Sequence, residues 1–242
     1  MRLVTGLQPV REAIRVHGER LGDVLVEDRG GPQLDAVARF AEGRGAKVTR
    51  VSRSELDRLS KGARHQGALA FAPDFDLVAI EDLARDLDPR AIVVALDELE
   101  DPQNFGAVIR SAVAMGATAI VWPEHHAAPL SPATFRASAG AVEHARLCRV
   151  GSLPKALEHL RQTGARVVGL DANAERTIAE VPFEAAVVVV VGAEGKGLRK
   201  QVKAACTDLA KLPMSGAIDS LNASVAAGIA LYEVVRRRGT PA

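Results

Sequence analysis

The sequence predicts an α/β protein, a larger unit built on a parallel sheet joined to a smaller α/β unit. Three observations predict it. The apolar runs 91–96 and 186–191 have the unbroken hydrophobicity of strands buried on both faces. Helical patterns stand between such runs, and strand–helix alternation implies parallel strands covered by helices. Charge then divides the chain. Residues 1–72 carry 13 Lys+Arg against 9 Asp+Glu, residues 73–90 carry 2 against 6, and residues 91–242 carry 16 against 15. A basic domain over 1–72, an acidic proline-flanked linker over 73–90 and a larger domain over 91–242 are therefore expected.

Each element has its own signature. Residues 9–17 read as a short helix stopped by Gly18, 23–27 as a strand, 33–42 as an amphipathic helix stopped by Gly43, and 47–51 as a strand. Ser54 is placed to cap a short helix, and 68–71 is the last strand of the basic segment. Strand 91–96 leads through a polar loop into a helix over 105–115, which Gly116 stops. A strand over 119–122, a helix over 153–162 and a strand over 166–170 follow. Strand 186–191 is the most apolar of all. A helix near 198–205, a short strand over 209–212 and a final helix over 221–238 complete the pattern.

Composition narrows the function classes. Hydrophobic residues make up 48% of the 242, enough for a packed core and too many for wholesale disorder. A formal charge of +1 does not mark a nucleic-acid binder; only its uneven placement points that way, and that placement also fits an ordinary solvated surface. Cys148 and Cys206 lack metal-ligand spacing and read as buried thiols of a reduced compartment. No apolar run approaches the ~18 residues of a membrane span, and residues 1–6 show no signal-peptide core, so a cytoplasmic chain is expected. Adjacent His125 and His126 would point to opposite faces of a strand, which favours a surface loop over a metal site.

Three loops, each following an expected strand, have unusual chemistry, and ligands of parallel sheets bind beyond the strands' carboxyl ends. The first runs from Asp97 through Asp101-Pro102-Gln103-Asn104-Phe105-Gly106 to Arg110. Asn104 suits an N-cap, and Arg110 brings a forked donor for phosphate near a helix start. The second, Gly192-Ala193-Glu194-Gly195-Lys196-Gly197-Leu198, is glycine-rich. It is neither a P-loop nor the dinucleotide fingerprint, because Leu198 and Glu194 stand at defining positions; a carboxylate there suits a cationic or hydroxyl-bearing ligand. The third, 212–228, is a polar loop running into a helix of small residues, with Asn222 and Ser224 at its start. Its small side chains let a backbone or a ligand approach closely. Each loop alone also fits a structural role: a capped helix with a surface arginine, a glycine turn, a tight helix contact.

Taken together and in this order, the loops resemble the three motifs of the SpoU (TrmH-type) branch of the SPOUT RNA methyltransferases, and Ala137-Ser138-Ala139-Gly140-Ala141 adds a fourth similarity. In the basic segment, Gly6-Leu7-Gln8-Pro9-Val10 and His65-Gln66-Gly67 are similar to the substrate-binding domain of RlmB-like enzymes, which methylate large-subunit ribosomal RNA at a guanosine 2′-hydroxyl. Ala223 departs from the family's bulkier aliphatic residue, and Gln103 stands at a variable position. The resemblance implies a parallel sheet whose C-terminal part threads a trefoil knot, a homodimer, and S-adenosylmethionine as cofactor. It implies backbone contacts to adenine and ribose at Gly192, Leu212 and Leu221, with Leu170 and Ser220 in the same cofactor site. It places Arg110, Asn104, Glu194, Asn222 and Ser224 at catalytic or substrate-positioning sites.

The implied reaction moves a methyl group from a sulfonium to a ribose 2′-oxygen, whose proton must leave as the bond forms. A guanidinium stays protonated, so Arg110 is better suited to gripping a phosphate and stabilising developing alkoxide than to acting as a base. With 3% aromatic residues, stacking platforms are scarce and RNA binding should rest on phosphate contacts and shape, with Lys61, Arg64 and His65 as candidate contacts. The 23S ribosomal RNA guanosine is the expected target. Transfer RNA, a ribosomal adenosine whose methylation gives antibiotic resistance, and a non-catalytic RNA-binding role on a decayed fold are the alternatives.

Overall fold

A computed structural model describes residues 1–216 and 220–239. The chain divides into two compact units, one of 1–75 with 130–144 and one of 76–129 with 145–242.

In the first unit, strands β1 (Arg2–Thr5), β2 (Val24–Glu27), β3 (Val48–Val51) and β4 (Ala68–Ala72) form a sheet in the order β1-β4-β2-β3. β4 is antiparallel to β1 and β2, and β2 is parallel to β3, so β1, β2 and β3 all run one way. Each is followed by a helix: α1 (Leu7–His17), α2 (Pro32–Glu42) and α3 (Arg53–Ser60). Val10, Ile14, Leu34 and Val37 of α1 and α2 cover one sheet face with Val4, Val24 and Val26; Leu56 of α3 covers the other with Leu25 and Leu69. Strand β1 lies outside the sequence expectation because four residues at a chain end carry too short a pattern. Helix α1 starts at Leu7, ahead of Pro9, since proline is tolerated in a first turn. The cap of α3 is Ser52, whose hydroxyl accepts from Glu55 N at 3.3 Å, and not Ser54.

Residues 130–144 complete this unit with α6 (Pro132–Ala137) and a 3₁₀ turn over Ala141–His144. Buried Glu143 takes both Arg2 guanidinium nitrogens, Nη1 at 2.8 Å, and His17 Nε2 at 2.9 Å. His144 Nε2 lies 2.9 Å from Glu12, and Arg2 sits 3.7 Å over the Phe75 ring. Gly140 explains the small-residue motif there: its φ is +84°, and a β-carbon would lie 2.8 Å from Pro9 Cα and from Glu12 Cβ.

The second unit carries a six-stranded sheet, every pairing parallel, in the order β10-β8-β9-β5-β6-β7. Its strands are β5 (Ile92–Asp97), β6 (Ala119–Pro123), β7 (Arg146–Val150), β8 (Arg166–Leu170), β9 (Val187–Gly192) and β10 (Asp208–Ala210). Helices α4 (Ile80–Arg85), α7 (Leu153–Gln162) and α8 (Lys200–Ala205) share one core cluster, with Leu83, Leu157 and Val202 packed on Val93, Val121 and Val188. Helix α5 (Pro102–Ala114) packs against α9 (Ala223–Arg238), where a β-carbon on Gly228 would sit 3.7 Å from Ser111 Oγ. Every residue of β5, and every residue of β9 except Gly192, is buried, as their apolar runs require.

The spacer expected over 73–90 is folded: Leu83 and Ala84 of α4 are core residues, and Leu77 bridges to Leu147. Its apolar side chains at 78, 80, 83, 84 and 87 outweigh its acidity. Among the described residues no helix is long and apolar enough to cross a membrane.

Candidate functional site

The carboxyl ends of β8, β9 and β10 open onto one cavity of about 690 Å³, all within the second unit. Its wall draws on the turn after Leu170, the glycine loop 192–197, Lys203, the stretch from Ala210 to Gly216, and 220–226 at the start of α9. Leu170, Gly192, Leu212, Ser220 and Leu221, the five residues expected around a cofactor, all lie on this wall, as does Glu194. Ala217, Ile218 and Asp219 of the third loop lie outside the described residues.

Parallel pairing sets these positions. Gly192 pairs with Asp97 at the end of β5, and there the chain turns back so sharply that a β-carbon on Gly192 would lie 2.3 Å from Gly197 C. Gly195 and Gly197 take positive φ, and Gly197 N donates to Ala193 O at 2.9 Å, so the loop is a closed turn that only glycines fit easily.

A polar network stands beside the cavity. Asn222 caps α9 through Oδ1, which accepts Ser224 N at 2.9 Å, Ser224 Oγ at 2.5 Å and Val225 N at 3.4 Å. Its amide nitrogen donates to Asn104 Oδ1 at 2.9 Å and to Glu194 Oε1. Glu194 Oε1 also accepts Ala223 N at 3.4 Å. Four residues from three motifs, spread over 104–224, thus meet in one hydrogen-bonded group. The carboxylate at a helix start is favourably placed against the helix dipole.

The fifth expected residue stands apart from that group. Arg110 is exposed on α5 and, among the described residues, has no hydrogen-bond or ion-pair partner. Asn104 is not the cap of α5. Asp101 takes that role, accepting Gln103 N at 3.3 Å and Asn104 N at 3.0 Å, because its carboxylate precedes Pro102 at the first helical position. The Asn104 side chain is thereby left to meet Asn222.

At the cavity's other end Asp171 and Lys203 form an ion pair at 2.6 Å, with Lys211 nearby on the wall. Burial pushes the Asp171 carboxyl up, but hydrogen bonds from Lys203 and from Asn173 N outweigh it and hold it below the usual range. Carboxylates at both ends suit a ligand with positive charge, and the lysines suit one that also carries a carboxylate. Desolvation pushes the Cys206 thiol up to about 12 and the Cys148 thiol to about 11, so neither is a nucleophile near neutral pH. Residues 171, 203 and 211 had no motif to announce them; only Asp171 follows an expected strand, while Lys203 lies in an expected helix and Lys211 in an expected strand.

Of two other expectations, the one for His65 is corrected and the surface loop at His125-His126 holds. His65 is 5% exposed; its Nδ1 accepts Gly67 N at 3.0 Å, so Nε2 carries the proton toward Asp57 at 2.9 Å. It braces a turn and does not face a ligand. His125 and His126 are exposed, with His126 Nδ1 3.7 Å from Glu100.

Comparisons with known proteins agree with this geometry. A model of the SpoU rRNA Methylase family matches residues 91–232, and one for RNA 2′-O ribose methyltransferase substrate binding matches residues 3–77. An uncharacterized tRNA/rRNA methyltransferase of Mycobacterium ulcerans is 38% identical over 98% of this chain and 77% of its own length. An AdoMet-bound rRNA methyltransferase structure from Sinorhizobium meliloti superposes with a TM-score of 0.78 at 26% identity, covering 97% of this chain and 87% of that one. The SpoU methyltransferase AviRb from Streptomyces viridochromogenes, in complex with AdoMet, gives 0.77 at 25% identity, covering 98% and 90%.

Proposed function

The chain belongs to the SpoU rRNA methylase family of RNA methyltransferases, and from that premise we propose that it transfers the methyl group of S-adenosylmethionine to a ribose 2′-oxygen, at a guanosine of 23S ribosomal RNA. The observation that carries this reading is the cavity walled by the glycine loop and the α9 start, with Asn104, Glu194, Asn222 and Ser224 joined beside it. The residues fit the cofactor. Backbone at Leu170, Gly192 and Leu212 offers hydrogen bonds to a purine and ribose, and half-exposed Leu221 and Met214 offer apolar cover. Glu194 and Asp171 suit the sulfonium and ammonium charges, and Lys203 or Lys211 the carboxylate. When bound, that cofactor supplies an electrophilic methyl group.

The chain's own residues do the rest. Ser224 Oγ and the free oxygen of Glu194 orient the target hydroxyl and take its hydrogen bond. Arg110, exposed and without a partner among the described residues, grips a phosphate beside the target and stabilises charge developing on the oxygen. In-line placement of the two reacting atoms supplies much of the acceleration. The segment from β9 to α9 follows the knotted path of the family in this reading.

The first unit holds the RNA. β1, β2 and β3 end at one edge of its sheet, where α1, α2 and α3 begin and the 61–67 turn lies. Arg29, Arg53, Lys61 and Arg64 sit on those segments, all exposed. Among the described residues, only Arg53 has an ionic neighbour there, Glu27 at 4.0 Å. The two chains of a homodimer meet through α9, whose Val225, Ile229 and Tyr232 are 49%, 42% and 55% exposed in one stripe. A cytoplasmic site of action goes with that substrate. Calorimetry with S-adenosylmethionine, followed by mapping of 2′-O-methyl positions in ribosomal and transfer RNA with and without the gene, tests the reading. A missing 23S guanosine mark supports it; a missing transfer-RNA mark, a missing ribosomal-adenosine mark, or no cofactor binding overturns the respective part.

A further inference from the structure

Asp97 ends β5 and is fully buried, with no expected role of its own. Its Oδ2 accepts the backbone N–H of Arg199 at 2.8 Å, and its Oδ1 takes the same residue's guanidinium, Nε at 2.8 Å and Nη2 at 2.7 Å. Glu98, held at φ +55°, takes Nη1 at 3.1 Å. Arg199 stands immediately after the glycine loop, at the start of α8. Leu198 beside it is a core residue, packed where a β-carbon on Gly169 would lie 2.7 Å away. The loop is therefore fastened at both ends: Gly192 by its pairing with Asp97 itself, and Arg199 by three contacts to the same carboxylate. Between those ends lie Ala193 to Gly197, which wall the cavity and present Glu194 to Asn222.

We infer that the Asp97–Arg199 pair is a positioning device for the methyl-transfer site: it sets the height of the glycine loop, and with it both the cofactor wall and the Glu194 carboxylate. This rests on the cavity being the S-adenosylmethionine pocket. A loop rich in glycine has little stiffness of its own, so a buried carboxylate that takes both the backbone N–H and the guanidinium of Arg199 is what gives it one position. Asp97 touches no substrate and acts through the loop. Glu98 locks the one guanidinium nitrogen that Asp97 leaves free.

The test uses the full chain. Arg199→Gln leaves Asp97 its backbone N–H and removes the fork. It should raise the cofactor Kd and KM and lower kcat/KM on the order of 100-fold, with the KM for RNA unchanged after correction for folded fraction. Arg199→Lys, a point charge without the fork, should recover part of the loss. Asp97→Asn should behave like Arg199→Gln where it folds. Wild-type cofactor affinity and kcat in Arg199→Gln overturn the proposal, as does an equal rise in both KM values. Hydrogen exchange at the Gly197 amide reads the loop without cofactor: it should quicken in Arg199→Gln, and unchanged exchange also overturns the proposal. A wild-type protein that binds no S-adenosylmethionine would instead sink the pocket assignment, leaving the exchange result to decide the pair's role.

Discussion

The two sheets use one rule and end in different surfaces. In each, parallel strands deliver their chains to a common edge where helices begin. At the six-stranded sheet the glycine loop after β9 doubles back and, with the segments after β8 and β10, walls a cavity of about 690 Å³. At the four-stranded sheet exposed Arg29, Arg53, Lys61 and Arg64 stand on the edge turns and at the start of α3, and the result is a charged rim. Loop composition, not sheet architecture, separates a concave site from a basic surface. Backbone curvature makes the first and exposed side-chain charge the second.

Variants that strike one edge should leave the other untouched. The largest expected effect is at Arg110: Arg110→Ala should lower kcat on the order of 10²–10³-fold while cofactor affinity in calorimetry stays within a few-fold. An equal loss of cofactor binding would merge the two roles. Asn222→Ala comes next. It removes the cap of α9 and the links to Asn104 and Glu194, so thermal unfolding should show a loss of about 1–2 kcal/mol together with slower transfer. Full activity would detach the network from catalysis. Lys61→Gln with Arg64→Gln should flatten the salt dependence of RNA binding by about one unit of slope per residue and leave cofactor binding alone; an unchanged slope moves the RNA elsewhere.

The smallest effect concerns Asp171. Its folded value lies below the ordinary 3.8, so its stabilising contribution is complete above that value and is lost as pH falls through the folded one. Acid unfolding of Asp171→Asn followed by circular dichroism should therefore be less steep below pH 3.8 than that of the wild type. Identical acid profiles would mean that the Lys203 pair contributes nothing.

Long apolar or amphipathic runs were legible in the sequence. The helix over 153–162 and the strand over 166–170 stand where their periodicity put them. Short elements were legible only in part: β2, β3 and β10 were, whereas four-residue β1, five-residue β7 and six-residue α6 were not. The Asn104–Glu194–Asn222–Ser224 group could be nominated because its motifs are local, yet its bonds reach across 118 residues. Which of Asp101 and Asn104 would cap α5 turned on one side-chain geometry that sequence does not encode by eye. The Asp97–Arg199 pair spans 102 residues and has no motif; a lone acid closing an apolar strand was its only trace.

The first unit is discontinuous, since Thr134, Phe135, Val142 and Glu143 belong to its buried interior although they lie between β6 and β7. During synthesis the sheet and its two core clusters, drawn from residues 3–72, can close once they emerge, whereas the buried side chains of 130–144 join them only after β5, α5 and β6 are made. A cut after residue 72 would part the buried Phe135 and Val142 from the sheet of their own unit, so a transplant of this unit has to carry 130–144 with it.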